Sequence, residues 1–531
     1  MSSIHISKSA GRFTRLVNTR TRQFASSSKS TSSLPIVPLW INGQPLESSS
    51  AGEVVHRHPR TGRETCQTVV AGEKEVNDAI ISSKTAFGEW RDVTGWERKG
   101  ILQIVGKLIK DRSKDLEEAL RADSTFSDLV VKKDQESALH LLEGASHTAI
   151  SVEGTIPQTV DGSFSMVLRQ PYGPVLSIPA FNYPLTLALR SIAYPLACGN
   201  TVLLRASPLL PQFFQLLGPL FQDAGLPKGA LQILNFSEKD VAERIEQIIA
   251  HRDVRMVNFT GSVKLGKILA AKCGQYLKPS VMELGGKSVA IVLPSADLEL
   301  AANNILFGAF FNSGQVCMST EQVLVHSDIA NEFEEVLKQV AEQAKWGEQG
   351  MEMVRPGSGD GARDLYDNAI KEGAKVLYSP SNTSSTSSTS STSSTSSTSS
   401  TSFPPTILSS LPTSSKLYIE ESFSPLLSLH RLSSTADIIQ HANSHPTGLT
   451  SSIFTNDYRE ALDVAKELES GAVHVNGMTI HDQHNLPHGG WKDSGYGRFN
   501  SKGAVESFTQ TKNVRFVKGD KFPLGLIYQG L

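Results

Sequence analysis

The sequence predicts an α/β protein built on doubly wound parallel sheets, and three observations predict it. Apolar strand-like runs at 173–179, 201–204, 230–235 and 254–259 alternate with helical stretches at 186–197, 211–223 and 239–251. A second alternation follows: a strand at 288–293, a helix at 298–311, a strand at 322–326 and a helix at 329–345. Strands separated by helix-length segments pair in parallel, with the helices covering both faces of the sheet. The third observation is length, since 531 residues can bury a large core and normally divide into more than one domain.

Along the chain, the first 46 residues lack any acid, while Lys8, Arg12, Arg15, Arg20, Arg22 and Lys29 sit among serines and threonines. An Arg- and Ser-rich, acid-poor leader is the pattern of a mitochondrial transit peptide. The expectation is therefore a leader over 1–34, removed near 22–26, and a mitochondrial matrix address, with the cytoplasm as the alternative. Amphipathic helices are expected at 73–89 and 97–121, and alternation at 164–169 and 513–517 reads as further strands. The Ser-Ser-Thr repeat at 383–402 carries no apolar side chain and cannot offset its ordering entropy, so a disordered insertion is expected over 381–402.

Composition narrows the function. A net charge of −2 with acids and bases mixed gives no basic field for nucleic acid. The most apolar region, 174–204, is interrupted by prolines, Asn182 and Arg190, so no membrane span is expected. Cysteines at 66, 198, 273 and 317 follow neither metal-ligand nor disulfide spacing.

The chemistry concentrates in two short runs. Val281-Met-Glu-Leu-Gly-Gly-Lys287 and Phe310-Phe-Asn-Ser-Gly-Gln-Val-Cys317 place one carboxylate and one thiol 34 positions apart, each beside glycine. Glycine allows close backbone approach to a substrate, and a thiol beside a carboxylate reads as a nucleophile served by a base. A carboxylate next to Leu284 is expected to have its pKa raised by desolvation. Phe259-Thr-Gly-Ser-Val-Lys-Leu-Gly266, between an expected strand and helix, has the context of a dinucleotide turn.

Together these runs resemble the aldehyde dehydrogenase superfamily, whose glutamate motif is Glu-Leu-Gly-Gly-Lys and whose cysteine motif is Phe-x-Asn-x-Gly-Gln-x-Cys. The resemblance extends from about Leu39 to about Val517. It implies a Rossmann-like cofactor domain (35–154 and 173–282), an α/β catalytic domain (283–504) and a small β oligomerisation flap (155–172 and 505–520). Cys317 is then the nucleophile, Glu283 the base, and Asn182, in Pro-Ala-Phe-Asn182-Tyr-Pro, the oxyanion donor. Gly261, Ser262, Gly266, Arg205, Leu284, Glu421 and Phe423 are implied to hold NAD, with NADP as the alternative. Phe181 and His488 are implied to face an aldehyde substrate, and the flap implies a homodimer or homotetramer.

Three segments, 193–200, 317–321 and 474–482 with 494–499, resemble the salicylaldehyde and vanillin dehydrogenase branch, implying an aromatic or bulky aldehyde. A semialdehyde dehydrogenase and a catalytically impaired member of the fold are the alternatives. The departures from the pattern all concern ligand contacts. Arg205 and Pro208 stand where the family has lysine and often glutamate around the adenosine ribose, and the lost carboxylate makes NADP more plausible. Ser424 replaces a glycine, which is expected to tighten the turn around Phe423, and His488 replaces phenylalanine. The stretch 346–363 is shorter than its family counterpart, which normally supports the adenine side.

Overall fold

The computed structural model describes residues 34–346, 351–380, 400–517 and 519; the expected leader therefore falls almost wholly outside the described residues. The described residues from Pro35 onward pack as one compact unit. The first of its two large sheets has eight strands, in the order Gly495–Tyr496, Ser280–Leu284, Met256–Gly261, Pro174–Ile178, Thr201–Arg205, Leu231–Leu234, Leu39–Ile41 and Gln44–Leu46. The five central strands run parallel. Pro174–Ile178 and Leu231–Leu234 are buried at every position, as strands covered on both faces must be. Helix Pro184–Ala197 is entirely buried on one side, and helix Glu73–Trp90 sends Val76, Ala79 and Ile80 into the other.

The winding of this sheet reverses at Pro174–Ile178. From that strand the chain proceeds to Thr201–Arg205 and Leu231–Leu234 on one side, then crosses to Met256–Gly261 on the other. The crevice outside the carboxyl ends of two such strands is where doubly wound folds bind ligands. Here Asn182 follows one strand and Ser262 the other.

A second sheet has seven strands, ordered Lys375–Tyr378, Thr406–Ser409, Leu426–Leu432, Thr320–His326, Ser288–Val292, Thr450–Phe454 and Ala472–Val475. All neighbours are parallel except the first pair. Helices Leu298–Phe310 and Ala330–Gln343 cover one face through Ile305, Phe333 and Leu337. Helices Thr435–Ser444 and Tyr458–Glu467 cover the other through Ile438 and Val464.

Some expected elements are revised. The helix expected over 97–121 is two helices, Gly95–Asp111 and Ser113–Asp123, broken at Arg112. Buried Ile109 and Leu116 stand two helical turns apart, so the apolar period runs unbroken across the break and conceals it. The stretch 211–223 is likewise two short helices. The 164–169 and 513–517 alternations are strands, Phe164–Pro171 and Thr509–Phe516, paired antiparallel along their whole length. The flap boundary expected at 505 instead falls inside helix Ser501–Phe508. The disorder expected over 381–402 is corrected at its end, because Met353 N–H donates to Thr401 O and Ser402–Phe403 pairs with Met351–Glu352. Residues 381–399, the rest of that repeat, lie outside the described residues.

Candidate active site

Glu283 lies on strand Ser280–Leu284, opposite Thr260 on one side and Gly495 on the other, and is 1% exposed. Cys317 arrives on a loop whose Asn312, Ser313 and Gly314 all have positive φ (51°, 58° and 73°). Left-handed backbone at non-glycine residues stores strain that surrounding contacts must hold. Asn312 Nδ2 donates to Asn182 O at 2.8 Å, Gln315 Nε2 donates to Asn312 O at 3.0 Å, and Ser313 Oγ donates to Glu352 O at 2.6 Å. Gly314 is required here, since a β-carbon would sit 2.2 Å from Ser424 O.

So held, the Cys317 thiol donates to Glu283 Oε1 at 3.3 Å. Asn182 Nδ2 donates to Gln315 O at 2.8 Å, which leaves its second N–H for another acceptor. Helix Pro184–Ala197, which begins two residues after Asn182, is capped by buried Asp134, whose two oxygens accept from Leu185 N–H and Thr186 N–H at 2.8 Å each.

Glu283 has partners that the motif does not reveal. Arg190 Nη2 lies 3.3 Å from Glu283 Oε2, and His488 Nε2 lies 3.4 Å from Glu283 Oε1. Asp482 stands behind both, 3.7 Å from Arg190 Nη1 and 3.7 Å from His488 Nδ1. Burial pushes the Glu283 carboxyl up, but Arg190, His488 and the thiol together outweigh it, and its pKa ends below the ordinary value. The expected rise is thus corrected; desolvation acts, and a buried cation 93 positions upstream overrides it. The Cys317 thiol is pushed well up, by burial first and then by the adjacent Glu283 charge. The resting pair is a carboxylate beside a thiol.

A cavity of about 550 Å³ opens above this pair and brings together Phe181, Asn182, Gly261, Ser262, Glu421 and Phe423. Ser262 caps helix Val263–Gln275, its Oγ accepting from Leu265 N–H, so free N–H groups of a 13-residue helix face the cavity. Gly266 and Leu284 do not line it. They form the close contact between that helix and its strand, where a β-carbon on Gly266 would meet Leu284 at 2.4 Å. The Glu421 carboxylate lies over Gly285, where a β-carbon would strike it at 2.1 Å, and its Oε1 is buried without a partner. Burial, with neighbouring Glu321, raises Glu421 to about 8. A buried acceptor with nothing to accept from, facing a helix N-terminus across a cavity, fits the hydroxyls and phosphates of a dinucleotide.

Two expected contacts fall elsewhere. His488, expected on the substrate wall, is buried behind Glu283 and Asp482. Arg205 ends its strand half-buried and does not line this cavity; Pro208 lines a separate one of about 560 Å³. Ser424 is accommodated because the left-handed residue of its turn is Phe423, at φ 48°, so glycine is not needed at 424. The stretch 346–363 reaches the cavity through Arg355, Ser358 and Gly361. Lys287 and Glu321 form a buried ion pair, and Glu321 accepts from Ser422 N–H and Phe423 N–H at 2.8 and 3.2 Å, fixing the turn that carries Glu421.

The sequence pattern of the Aldehyde dehydrogenase family matches residues 46–514. The chain belongs to the aldehyde dehydrogenase family. It is an aldehyde dehydrogenase, an enzyme that oxidises aldehydes to carboxylic acids with a nicotinamide dinucleotide. It is 35% identical to a vanillin dehydrogenase of Pseudomonas fluorescens over 491 residues, covering 91% of this chain and 98% of that protein. A salicylaldehyde dehydrogenase of Pseudomonas putida is 33% identical, with 89% of this chain and 96% of that protein covered. The crystal structure of a salicylaldehyde dehydrogenase from Pseudomonas putida G7, complexed with salicylaldehyde, superposes with a TM-score of 0.85 at 32% identity, covering 92% of this chain and 100% of that one. Among the described residues of this aldehyde dehydrogenase, no helix is long and apolar enough to cross a membrane.

Proposed function

We propose that this aldehyde dehydrogenase oxidises aromatic aldehydes, with Cys317 as nucleophile, Glu283 as base and Asn182 as oxyanion donor. The observation that carries the reading is the 3.3 Å contact between Cys317 Sγ and Glu283 Oε1 on the floor of the Glu421–Ser262 cavity. Glu283 is ionised at rest and takes the thiol proton as Cys317 adds to the carbonyl carbon. The free N–H of Asn182 and the backbone N–H of Cys317 meet the oxyanion so formed; losing one such donor costs about 3 kcal/mol in comparable sites. A nicotinamide dinucleotide bound over Glu421 supplies the hydride acceptor. Glu283 then gives up the thiol proton to solvent and, as a carboxylate again, deprotonates the water that hydrolyses the thioester left on Cys317; His488 and Asp482 stand behind it.

The relatives' names and the aromatic pair that lines the cavity, Phe181 against Phe423, support an aromatic substrate. The semialdehyde alternative needs an arginine for a substrate carboxylate; Arg190 is engaged by Glu283 and Asp482, whereas Arg355 lines the cavity, so the semialdehyde arm of the assay decides between the two readings. NAD is the proposed acceptor, with NADP as the alternative that the assay below separates. The exposed flap supports a homodimer or homotetramer, which light scattering of the purified enzyme tests.

Reduced-nicotinamide absorbance, followed with benzaldehyde-type, short aliphatic and semialdehyde substrates and with NAD and NADP in turn, tests the whole reading. The expected result is kcat/KM at least about tenfold higher for the aromatic aldehydes, a ratio within reach of pocket complementarity. Faster turnover of aliphatic aldehydes or semialdehydes would remove the substrate assignment. Activity surviving in Cys317→Ala would remove the mechanism.

A further inference from the structure

Away from the active site, a cavity of about 300 Å³ lies where the start of helix Gly95–Asp111 meets the end of helix Asp128–Ala149 and the base of the flap strand Phe164–Pro171. Three arginines line it, Arg91, Arg98 and Arg169, and no carboxylate does. Arg98 is 8% exposed, yet its guanidinium makes no hydrogen bond or ion pair with any described residue, and its Nε is buried without a partner. Arginine stays charged in proteins, and a buried cation without a counter-charge is costly. The fold nevertheless makes room for it. Gly199, at φ +89°, lies so close that a β-carbon there would meet Arg98 Nη1 at 2.2 Å.

The surroundings add positive potential and remove competitors. Arg169 donates one hydrogen bond to Thr509 Oγ1, leaving most of its donors unused. Arg91 is exposed, and its neighbour Asp92 is exposed and 3.6 Å away, a pairing that water largely screens. Helix Gly95–Asp111 is capped by Thr94, whose Oγ1 accepts from Glu97 N–H, so the Gly95 and Trp96 N–H groups remain at its positive end. Cys198, on the cavity wall, is pushed by burial to about 12 and stays a neutral thiol that supplies no counter-charge.

We infer that this cavity is an oxyanion site, binding a phosphate-type group between Arg98, Arg91 and Arg169 at the base of the flap. Guanidinium forks match the geometry of phosphate and carboxylate oxygens. The volume admits more than one phosphate, and Trp96, 70% exposed at the rim, offers a face for the rest of a larger ligand. Because the three arginines come from a helix, the loop before it and the flap strand, a bound oxyanion ties the flap to the body of the enzyme.

The test is calorimetric titration and thermal melting of the full-length enzyme with inorganic phosphate, pyrophosphate and citrate at ionic strength held constant with sodium chloride. The three probes separate a single phosphate, a polyphosphate and a polycarboxylate. Saturable binding of one ion per chain, with a rise in melting temperature, is expected for at least one of them. Arg98→Met and the double variant Arg91→Gln/Arg169→Gln should each weaken it tenfold or more. The double variant touches no residue of the Cys317 cavity, should keep its turnover, and decides the matter if Arg98→Met fails to fold. Absence of saturable binding by all three probes overturns the inference. So does an affinity changed less than twofold in the double variant, which would place the ion elsewhere, such as at the Ser262 helix end.

Discussion

At the scale of single residues, the unusual element is a carboxylate, buried at 1% exposure, that is held ionised by its neighbours. Arg190 and His488 decide this, and both act on the same two oxygens that face Cys317. Replacing Arg190 by methionine removes the main attraction that opposes desolvation, so the Glu283 pKa rises. An opposite charge at such range favours the ionised form, so its removal should move the acid limb of kcat to higher pH. A pH profile of steady-state turnover reads this directly, and an unmoved limb would exclude Arg190 as the group that sets the base. Glu283→Gln retains shape and loses the base. Because Glu283 takes the proton in both acylation and hydrolysis, turnover slowed by roughly a hundredfold or more is expected, and intact mass spectrometry shows from the acyl-enzyme level which of the two steps then limits. The Cys317 and Glu283 pair was legible in the sequence because each sits in a short glycine-flanked motif. Arg190, Asp482 and the partner role of His488 were not, because only the fold brings residues 93 and 205 positions from Glu283 onto its two oxygens.

At the scale of elements, the cofactor contacts depend on turns that are braced from a distance. The Glu420–Ser424 turn carries Glu421 and Phe423 but is fixed by Glu321, which accepts from Ser422 and Phe423 while paired with Lys287; Lys287 also donates to Glu420 O at 2.8 Å. Glu321→Gln should therefore raise the KM for the dinucleotide more than the KM for the aldehyde, and lower stability, since breaking a buried pair costs about 3 to 5 kcal/mol. Separate saturation curves for the two substrates make the distinction, and equal changes in both would refute the bracing role. Lys287 and Glu321 stand within recognisable motifs, but their pairing across 34 positions has no local signature. The same holds for Asp134, whose carboxylate caps a helix that begins some 50 positions later. Strands and helices were readable from apolar period and composition because those act locally. The break at Arg112 was not, since the apolar period continues through it.

At the scale of the whole molecule, the parallel sheets were foreseeable because many of their strands are short apolar runs spaced by helix-length segments, whereas the pairing of Phe164–Pro171 with Thr509–Phe516 joins segments that no periodicity links. The completed fold also buries histidines in number, and this sets its response to acid. His430, His445 and His474 are lowered by burial to about 3, 4 and 4, and His441, His56 and His58 are lowered in the same direction, also by burial. Above the unfolded value of 6.5 these groups are neutral in both states and cost nothing. As pH falls below 6.5 the unfolded chain takes protons that the folded chain refuses, so each such group withdraws stability until its folded pKa is reached. Three buried carboxyls oppose the trend: Asp123, Asp134 and Glu421 are raised to about 7, 6 and 8 by burial, so they favour the folded state as acid is added. The carboxyls and the histidines thus act in opposite directions as acid is added. His430 contributes over the widest window, packed between Tyr418 and His441 with Ser428 Oγ at 3.1 Å from its Nε2. His430→Gln should melt lower than wild type at pH 8, with the gap narrowing steadily toward pH 5 as the wild type alone loses this term. Melting curves of both proteins at matched ionic strength across that range provide the check, and a gap that stays constant or widens on acidification would rule out His430 as a source of acid lability.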